Sequence, residues 1–158
     1  IFIDSGSTAV NVLRHLPPRI KLTVVTHSLP AMVEAAKYDG INLISLGGAF
    51  NPATSSFVGI FAQQALSDLR ITKAFLCATG VTVESGMSNT TFLEAEIKRG
   101  VVSHASSVIL VADNSKLGHD ATVTFCRLQD ISTFVTDQKP APKFVEFCRA
   151  HNIRLVWE

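Results

Sequence analysis

Short, uniformly apolar segments recur along this chain between stretches of helical spacing, and that alternation limits its fold more than any other feature. Ile1-Phe2-Ile3 reads as a buried strand closed by Asp4, and Ser5-Gly6-Ser7-Thr8 turn it into a helix over Ala9–Leu16. Lys21–Thr26 is a second strand. Ser28 is expected to N-cap a helix running to about Tyr38, with Pro30 in its first turn and Asp39-Gly40 as its stop. Ile41–Leu46 is a third strand ending at Gly47-Gly48, Asn51–Ser56 a loop, and Val58–Leu69 a helix. Ala74–Ala78 is a fourth strand followed by Thr79-Gly80, Val81–Thr91 a long polar loop, and Phe92–Ala105 a helix. Ser107–Ala112, the strongest strand, ends at Asp113, and Thr122–Phe125 adds a short one. Thr133–Thr136 ends at Asp137, Pro142–Ala150 is a helix, and Ile153–Trp157 is a last strand. Phe2, Phe75, Phe134 and Trp157 fall in strand patterns and are assigned to the core.

A strand that is apolar at successive positions is buried on both faces and needs helices on both sides. The expected architecture is a doubly wound, mostly parallel α/β sheet. A length of 158 residues suits one domain, able to bury ~70% of its unfolded surface. With 47% apolar and 17% charged residues the chain is compact, not disordered. A net charge of +1 without a basic run argues against direct nucleic-acid binding by these residues, and no apolar run approaches the ~20 residues of a membrane span. Cys77, Cys126 and Cys148 are widely spaced and follow no metal-ligand pattern. They read as buried small hydrophobes of a cytoplasmic protein, with Cys77, near a strand end, the one to test as a reactive thiol. No metal or cofactor is expected. The chain opens on a core strand without an initiator methionine or signal peptide, as expected of a domain cut from a longer polypeptide.

The chemistry gathers at strand ends. Asp4-Ser5-Gly6-Ser7, Thr26-His27-Ser28, Gly47-Gly48, Thr79-Gly80, Asp113–Lys116 and Thr136-Asp137 each follow a strand. In an open α/β sheet those ends share one edge, where ligands bind at the topological switch point. At the first of them, free amides of a helix start, a positive dipole end and a glycine make an anion site. The same Ser-Gly-Ser-Thr residues are equally good capping chemistry. Neither Gly-x-Gly-x-x-Gly nor Gly-x-x-x-x-Gly-Lys-Ser/Thr is present, so a single phosphate fits better than a dinucleotide. Asp4, Glu94 and Asp113 supply carboxylates for polyol hydroxyls, and Lys98 or Lys116 can neutralise a phosphate. Phosphate plus polyol means a phosphorylated sugar. Plainer alternatives stand beside these: Asp4 as a cap of the turn amides, Gly47 and Gly48 as turn formers, Glu94–Lys98 as a surface ion pair, Asp113–Lys116 as a mutual salt bridge.

The series Asp4–Thr8, Val24–Ser28, Gly47-Gly48, Gly59, Phe75, Gly80, Gly86, Glu94–Arg99, Ala112–Lys116, Gly118 and Thr136-Asp137 resembles the effector-binding domain of DeoR-type bacterial transcriptional repressors, over nearly the whole chain. The resemblance implies a fold like that of ribose-5-phosphate isomerase and glucosamine-6-phosphate deaminase. It implies a phosphorylated sugar or sugar intermediate as effector, and self-association into a homo-oligomer. It also implies an N-terminal winged helix-turn-helix, absent from this chain, that binds operator DNA. His27 stands where the family usually has Asn, and His119 where a basic residue is common. A phosphosugar isomerase or deaminase on the same scaffold is the alternative. However, the Asp-Gly-Ala-Asp-Glu and Lys-Gly-Gly motifs of the isomerase are missing, and Val81–Thr91 holds Glu84 but no histidine. A purely structural dimerisation domain is a third reading. The expected site is therefore non-catalytic: Asp4, Ser5, Gly6, Ser7 and Thr8 around the phosphate, Asp113 and Lys116 on the polyol and its charge, Thr26, His27 and Glu94 tuning selectivity, with Gly47, Gly48, Gly80 and Lys98 completing it.

Overall fold

In the computed structural model, which describes residues 1–158, each expected strand forms and most of the helices keep their places. The elements in chain order are β1 (Phe2–Ile3), α1 (Ser7–Arg14), β2 (Leu22–Thr26), α2 (Leu29–Ala35), β3 (Ile41–Ser45), β4 (Ala49–Asn51), β5 (Ser56–Val58), α3 (Ile60–Ser67) and β6 (Ala74–Leu76). They continue with β7 (Gly80–Thr82), β8 (Gly86–Asn89), α4 (Phe92–His104), β9 (Val108–Val111), β10 (Val123–Cys126), β11 (Thr133–Thr136), α5 (Pro142–Ala150) and β12 (Arg154–Trp157).

Seven strands form one sheet in the order β12-β11-β9-β6-β1-β2-β3, and every neighbouring pair is parallel. The chain winds from β1 outward through β2 and β3, then returns to the other side of β1 with β6 and winds outward again through β9, β11 and β12. Right-handed crossovers in opposite directions place helices on opposite faces, and the two cores record this. Ile3, Val24 and the α1–α2 residues Ala9, Leu13 and Ala31 share one cluster; Phe2, Val25, Leu76, Leu110 and Phe134 share the other with residues of α3, α4 and α5. Adjacent strand residues such as Phe2 and Ile3 thus pack in opposite directions, as the period of an extended chain requires. Uniform apolarity is explained by burial on both sides.

Three local expectations are corrected. Residues within the supposed Asn51–Ser56 loop belong to a β4–β5 hairpin. The supposed polar loop Val81–Thr91 is a β7–β8 hairpin that, with β10, makes a separate antiparallel sheet. Polarity there did not mean solvent: Ser88 is fully buried, its hydroxyl donating to Gly80 O and accepting from Ala121 N. Trp157 is not core. It lies on the edge strand β12 and is 43% exposed, while Phe2 and Phe134 are fully buried and Phe75 is partly buried against the α1–α2 side.

Candidate functional site

The winding direction reverses between β1 and β6, so the crevice beyond their carboxyl ends is the switch point where ligands bind in open α/β sheets. A cleft of about 620 Å³ lies there. Ser5, Gly6 and Ser7 follow β1 into it, Cys77, Ala78 and Thr79 follow β6, Asn89 ends β8, and Glu94 and Lys98 reach in from α4. Ala53, Thr54 and Ser55, the tip of the β4–β5 hairpin, close one side together with Pro30.

α1 forms the opposite wall. Ser7, Asn11 and Arg14 stand at helical spacings of four and three residues and all line the cleft with Val10, while Ala9 and Leu13 turn into the core. The polar stripe is the cleft face of an amphipathic helix. No hydroxyl caps this helix: Gly6 occupies the N-cap position without a side-chain bond. The competing capping role of Ser5-Gly6-Ser7-Thr8 is therefore not the one adopted. The N–H groups of Ser5, Gly6, Ser7 and Thr8 have no partner in the chain, whereas those of Ala9 and Val10 bond Gly6 O at 3.0 and 3.3 Å. The residue type at Gly6 has a packing cause, because a Cβ there would overlap the Cys77 side chain. That close approach draws the start of α1 against the end of β6.

Beneath the cleft lies a closed charge network. Asp4 is fully buried. Its Oδ2 accepts from Cys77 N at 2.8 Å and faces Lys98 Nζ at 2.8 Å, while Oδ1 lies 3.1 Å from His27 Nε2. Asp4 thus ties β1 to β6 and α4 and caps no amide of its own turn. Burial alone would push its carboxyl up, but the charge of Lys98 and the hydrogen bond and charge of His27 hold it well below the usual carboxylate range. Lys98 Nζ also donates to Cys77 O at 2.7 Å and Asn89 Oδ1 at 3.0 Å. With Asp4 these are three partners, and an ammonium has three donors. His27 is fully buried too. Its Nδ1 meets Phe57 O at 3.2 Å, so it joins Asp4 to the β4–β5 hairpin. Burial and the Asp4 charge push the Cys77 thiol up to about 12, with Lys98 opposing; this thiol is held protonated and unreactive.

Glu94 is buried and makes no ion pair with Lys98, although the two are four residues apart on one helix face. Its Oε2 accepts from Thr91 Oγ1 at 3.2 Å and its N–H donates to Thr91 Oγ1 at 3.4 Å, a capping arrangement that leaves Oε1 without a protein partner. Asn89, whose oxygen takes Lys98, keeps its NH₂ group open to the cleft.

Other expected site residues lie elsewhere. Thr26 is buried, its hydroxyl donating to Ile3 O at 2.6 Å and accepting from Ser28 N at 3.0 Å, so it braces β1 against the turn after β2. Gly47 and Gly48 take positive φ values of 66° and 108° as the chain turns from β3 into the hairpin, and neither lines the cleft. Gly80 is packed so tightly on the His119 backbone that a Cβ would overlap it. Asp113 and Lys116 make no salt bridge. Asp113 accepts from the N–H of Ser115 at 3.0 Å and from its hydroxyl. These bonds, the hydroxyl one foremost, hold its carboxyl below the usual range. It borders a separate hollow of about 180 Å³ with Thr8, Thr136 and Asp137, and Lys116 borders neither space. Strands in a sheet are ~4.8 Å apart, and β9 stands one strand beyond β6; that step moves its end out of the crevice.

Reading the sequence overlooked Asn11, Arg14, the 53–55 hairpin tip and Asn89. The first two had a signal, their helical register with Ser7. The hairpin tip and Asn89 had none in local pattern.

A cleft at the switch point of a doubly wound sheet, walled by a helix start and floored by a neutralised charge network, defines a small-ligand-binding α/β domain. Residues 1–138 match the DeoR C terminal sensor domain, and the chain belongs to that family. The HTH-type transcriptional regulator IolR of Bacillus subtilis is 36% identical over 153 residues, 97% of this chain and 61% of IolR. The HTH-type transcriptional regulator GlpR of Haloferax volcanii is 34% identical over 138 residues, 87% of this chain and 53% of GlpR. A lactose phosphotransferase system repressor of Lactococcus lactis is 31% identical over 148 residues, 92% of this chain and 58% of that protein. The chain therefore spans between half and two thirds of the length of these relatives. Its family is one of sensors in transcriptional regulators, not of catalysts. No helix is long and apolar enough to cross a membrane.

Proposed function

We propose that this domain senses a phosphorylated sugar or sugar intermediate in the switch-point cleft, and that it regulates transcription through a DNA-binding part preceding residue 1 in a cytoplasmic, self-associating repressor. The observation that carries the ligand class is the uncapped start of α1. Three consecutive amide groups, from Ser5 to Ser7, lack protein partners at one end of the cleft, while Thr8 borders the separate hollow beside Asp113; a helix N-terminus offers such groups together with its positive dipole end. The hydroxyls of Ser5 and Ser7 add donors to the same oxygens. Glu94 Oε1 accepts from sugar hydroxyls and the Asn89 amide donates to them. Asp4, Thr26 and His27 act from beneath the cleft by fixing the ends of β1 and β2 and the hairpin. Asp113 and Lys116 lie outside it, and the present reading gives them no contact with the sugar.

A ligand regulates only through its difference in affinity between DNA-competent and released arrangements, and a full switch needs ~5 kcal/mol of that difference. The β4–β5 hairpin, whose tip at residues 53–55 borders the cleft and whose Phe57 carbonyl meets His27, is the element through which occupancy reaches the rest of the fold. The test is calorimetry on the chain with phosphosugars and with their unphosphorylated parents. Saturable binding confined to the phosphorylated members, without turnover, supports the reading. Equal binding of both sets, or conversion of the ligand, overturns it.

A further inference from the structure

No Asp, Glu, Lys, Arg or His stands between Asp39 and Asp68, a stretch where the chain's overall charged share of 17% would put about five charges. The stretch supplies β3, the β4–β5 hairpin and α3, and it is not interior. β3 is an edge of the seven-stranded sheet, and natural edge strands are commonly guarded by charge. α3 buries Ala62 and Leu66 but turns Ile60, Phe61, Gln64, Ala65 and Ser67 to solvent. The outward face of α5, by contrast, carries Lys143, Glu146 and Arg149.

The start of α4 extends this uncharged surface. α3 and α4 lie side by side: Gln63 Nε2 donates to Glu96 Oε2 at 2.7 Å, and a Cβ on Gly100 would stand 2.8 Å from Leu66 Cδ2. Both helices therefore run the same way, and one turn before the Gln63–Glu96 bond Ile60 and Leu93 stand level. Beside them Phe61 is 70% exposed and Phe92 68%. These four side chains present roughly 400 Å² of apolar surface, as much as the largest patch of many monomers, which is often an interaction site. The charges in the first two turns of α4 do not interrupt it: Glu94 and Lys98 are buried, and Glu96 is held by Gln63.

Charge and position select what covers this surface. A nucleic acid or an anionic membrane needs cations, and the surface has none. A segment joined at Ile1 enters at the opposite edge of the sheet, where the Ile1 amino group bonds Thr23 O; α4 starts at the cleft edge, with Glu94 lining the cleft. A second copy fits. Across a two-fold axis the same patch faces itself, which an uncharged surface tolerates and a charged one does not. Aromatic side chains without charge are also what the core of a protein interface is made of. The uncharged polar rim of Gln64 and Ser67 brings the area towards the ~800 Å² that each partner gives to a stable dimer.

We infer that two copies of this chain associate face to face through the starts of α3 and α4, with Phe61 and Phe92 at the centre of the contact. This rests on the self-association proposed above and names its surface. The Ala53–Ser55 tip of the hairpin borders the cleft, so one uncharged stretch serves both the ligand site and the contact between copies.

Sedimentation equilibrium of the chain from about 1 to about 100 μM tests it. The wild-type chain is expected to form dimers that dissociate on dilution. Phe61→Glu and Phe92→Glu set like charges against each other across the axis and are each expected to weaken association at least about a hundredfold. Lys143→Glu, on the charged face of α5, is expected to leave it within about twofold. Far-UV circular dichroism checks that each variant keeps the wild-type fold. If a phenylalanine variant misfolds, Ala65→Arg decides in its place: it lies four residues beyond Phe61 on the same exposed face, and a weakening of at least about tenfold is expected. Unchanged association in the folded variants, or equal weakening by Lys143→Glu, overturns the inference and leaves self-association to another surface. A wild-type chain that stays monomeric at the highest concentration overturns self-association itself and this inference with it.

Discussion

His27 Nε2 and Asp4 Oδ1 lie 3.1 Å apart with both side chains fully removed from solvent. The other ring nitrogen of His27 faces the Phe57 carbonyl, which can only accept. Both contacts are hydrogen bonds when both nitrogens carry protons, so one imidazole joins the carboxylate under the cleft to the hairpin beside it. His27→Ala removes both links and leaves Asp4 with Lys98 and the Cys77 amide. A loss of about 2–4 kcal/mol is expected in urea denaturation, together with earlier amide exchange at Phe57, whose N–H bonds His27 O.

Lys98 is the stronger partner. Lys98→Met keeps most of the volume but leaves the Asp4 carboxylate with only His27 and the Cys77 amide. Breaking a buried pair on one side costs about 3–5 kcal/mol, and the same denaturation experiment reads it. Glu94→Gln, which keeps the Thr91 contact, is expected to cost less than about 1 kcal/mol while weakening sugar binding. A large stability loss in Glu94→Gln contradicts its assignment to the ligand.

Acid should unfold the domain through Asp4. Its carboxyl in the folded chain titrates below the ordinary value of 3.8. Near and below that value the unfolded chain therefore binds more protons than the folded one. A lowered carboxylate contributes stability that is present above its unfolded value and lost as pH falls towards its folded one. The melting temperature is expected to drop steeply below about pH 4, and Asp4→Asn to be less stable at neutral pH with a flatter acid limb. A wild-type limb no steeper than that of Asp4→Asn refutes the contribution.

Cys77 borders the cleft, yet its thiol is pushed up to about 12. The thiolate is the nucleophile, so iodoacetamide at pH 8 is expected to label native Cys77 about a thousandfold more slowly than a free thiol. Mass spectrometry of the labelled chain checks it. Rapid labelling of the native domain means the network beneath the cleft does not hold.

Gly6 and Cys77 form a coupled pair across the switch point. Gly6→Ala drives a methyl into the Cys77 side chain, an overpacking expected to cost about 1–3 kcal/mol. In a Cys77→Ala background the cost should shrink, a non-additivity that a double-mutant cycle measures. Additive losses show that the two residues do not meet.

Local pattern made much of this visible. Uniform apolarity at Val108–Val111 and Ala74–Leu76 told of strands covered on both faces, and residues 4, 26 and 113 were found at or just after strand ends, whereas Gly80 opens strand β7. Local pattern failed where polarity was mistaken for exposure. Ser88 and Asn89 are buried and bonded, so the β7–β8 hairpin looked like a loop. It failed again at Trp157, whose aromatic character says nothing about lying on an edge strand.

Taken alone, the sequence determined the strands and helices of the central sheet, its parallel arrangement and the edge on which polar turns collect, because hydrophobic period and turn chemistry are properties of neighbouring residues. Only the tertiary structure decided which turns share a cleft. β6 lies beside β1 while β9 lies a strand further out, so Ser5–Ser7 meet Cys77–Thr79 and Asp113 is left in its own hollow. Strand order is set by pairings between residues far apart in the chain, and no local period carries it. For the same reason Asp4, His27 and Lys98, which came into view as ligand contacts, close on one another instead: a charge removed from water needs a partner, and the fold supplies one.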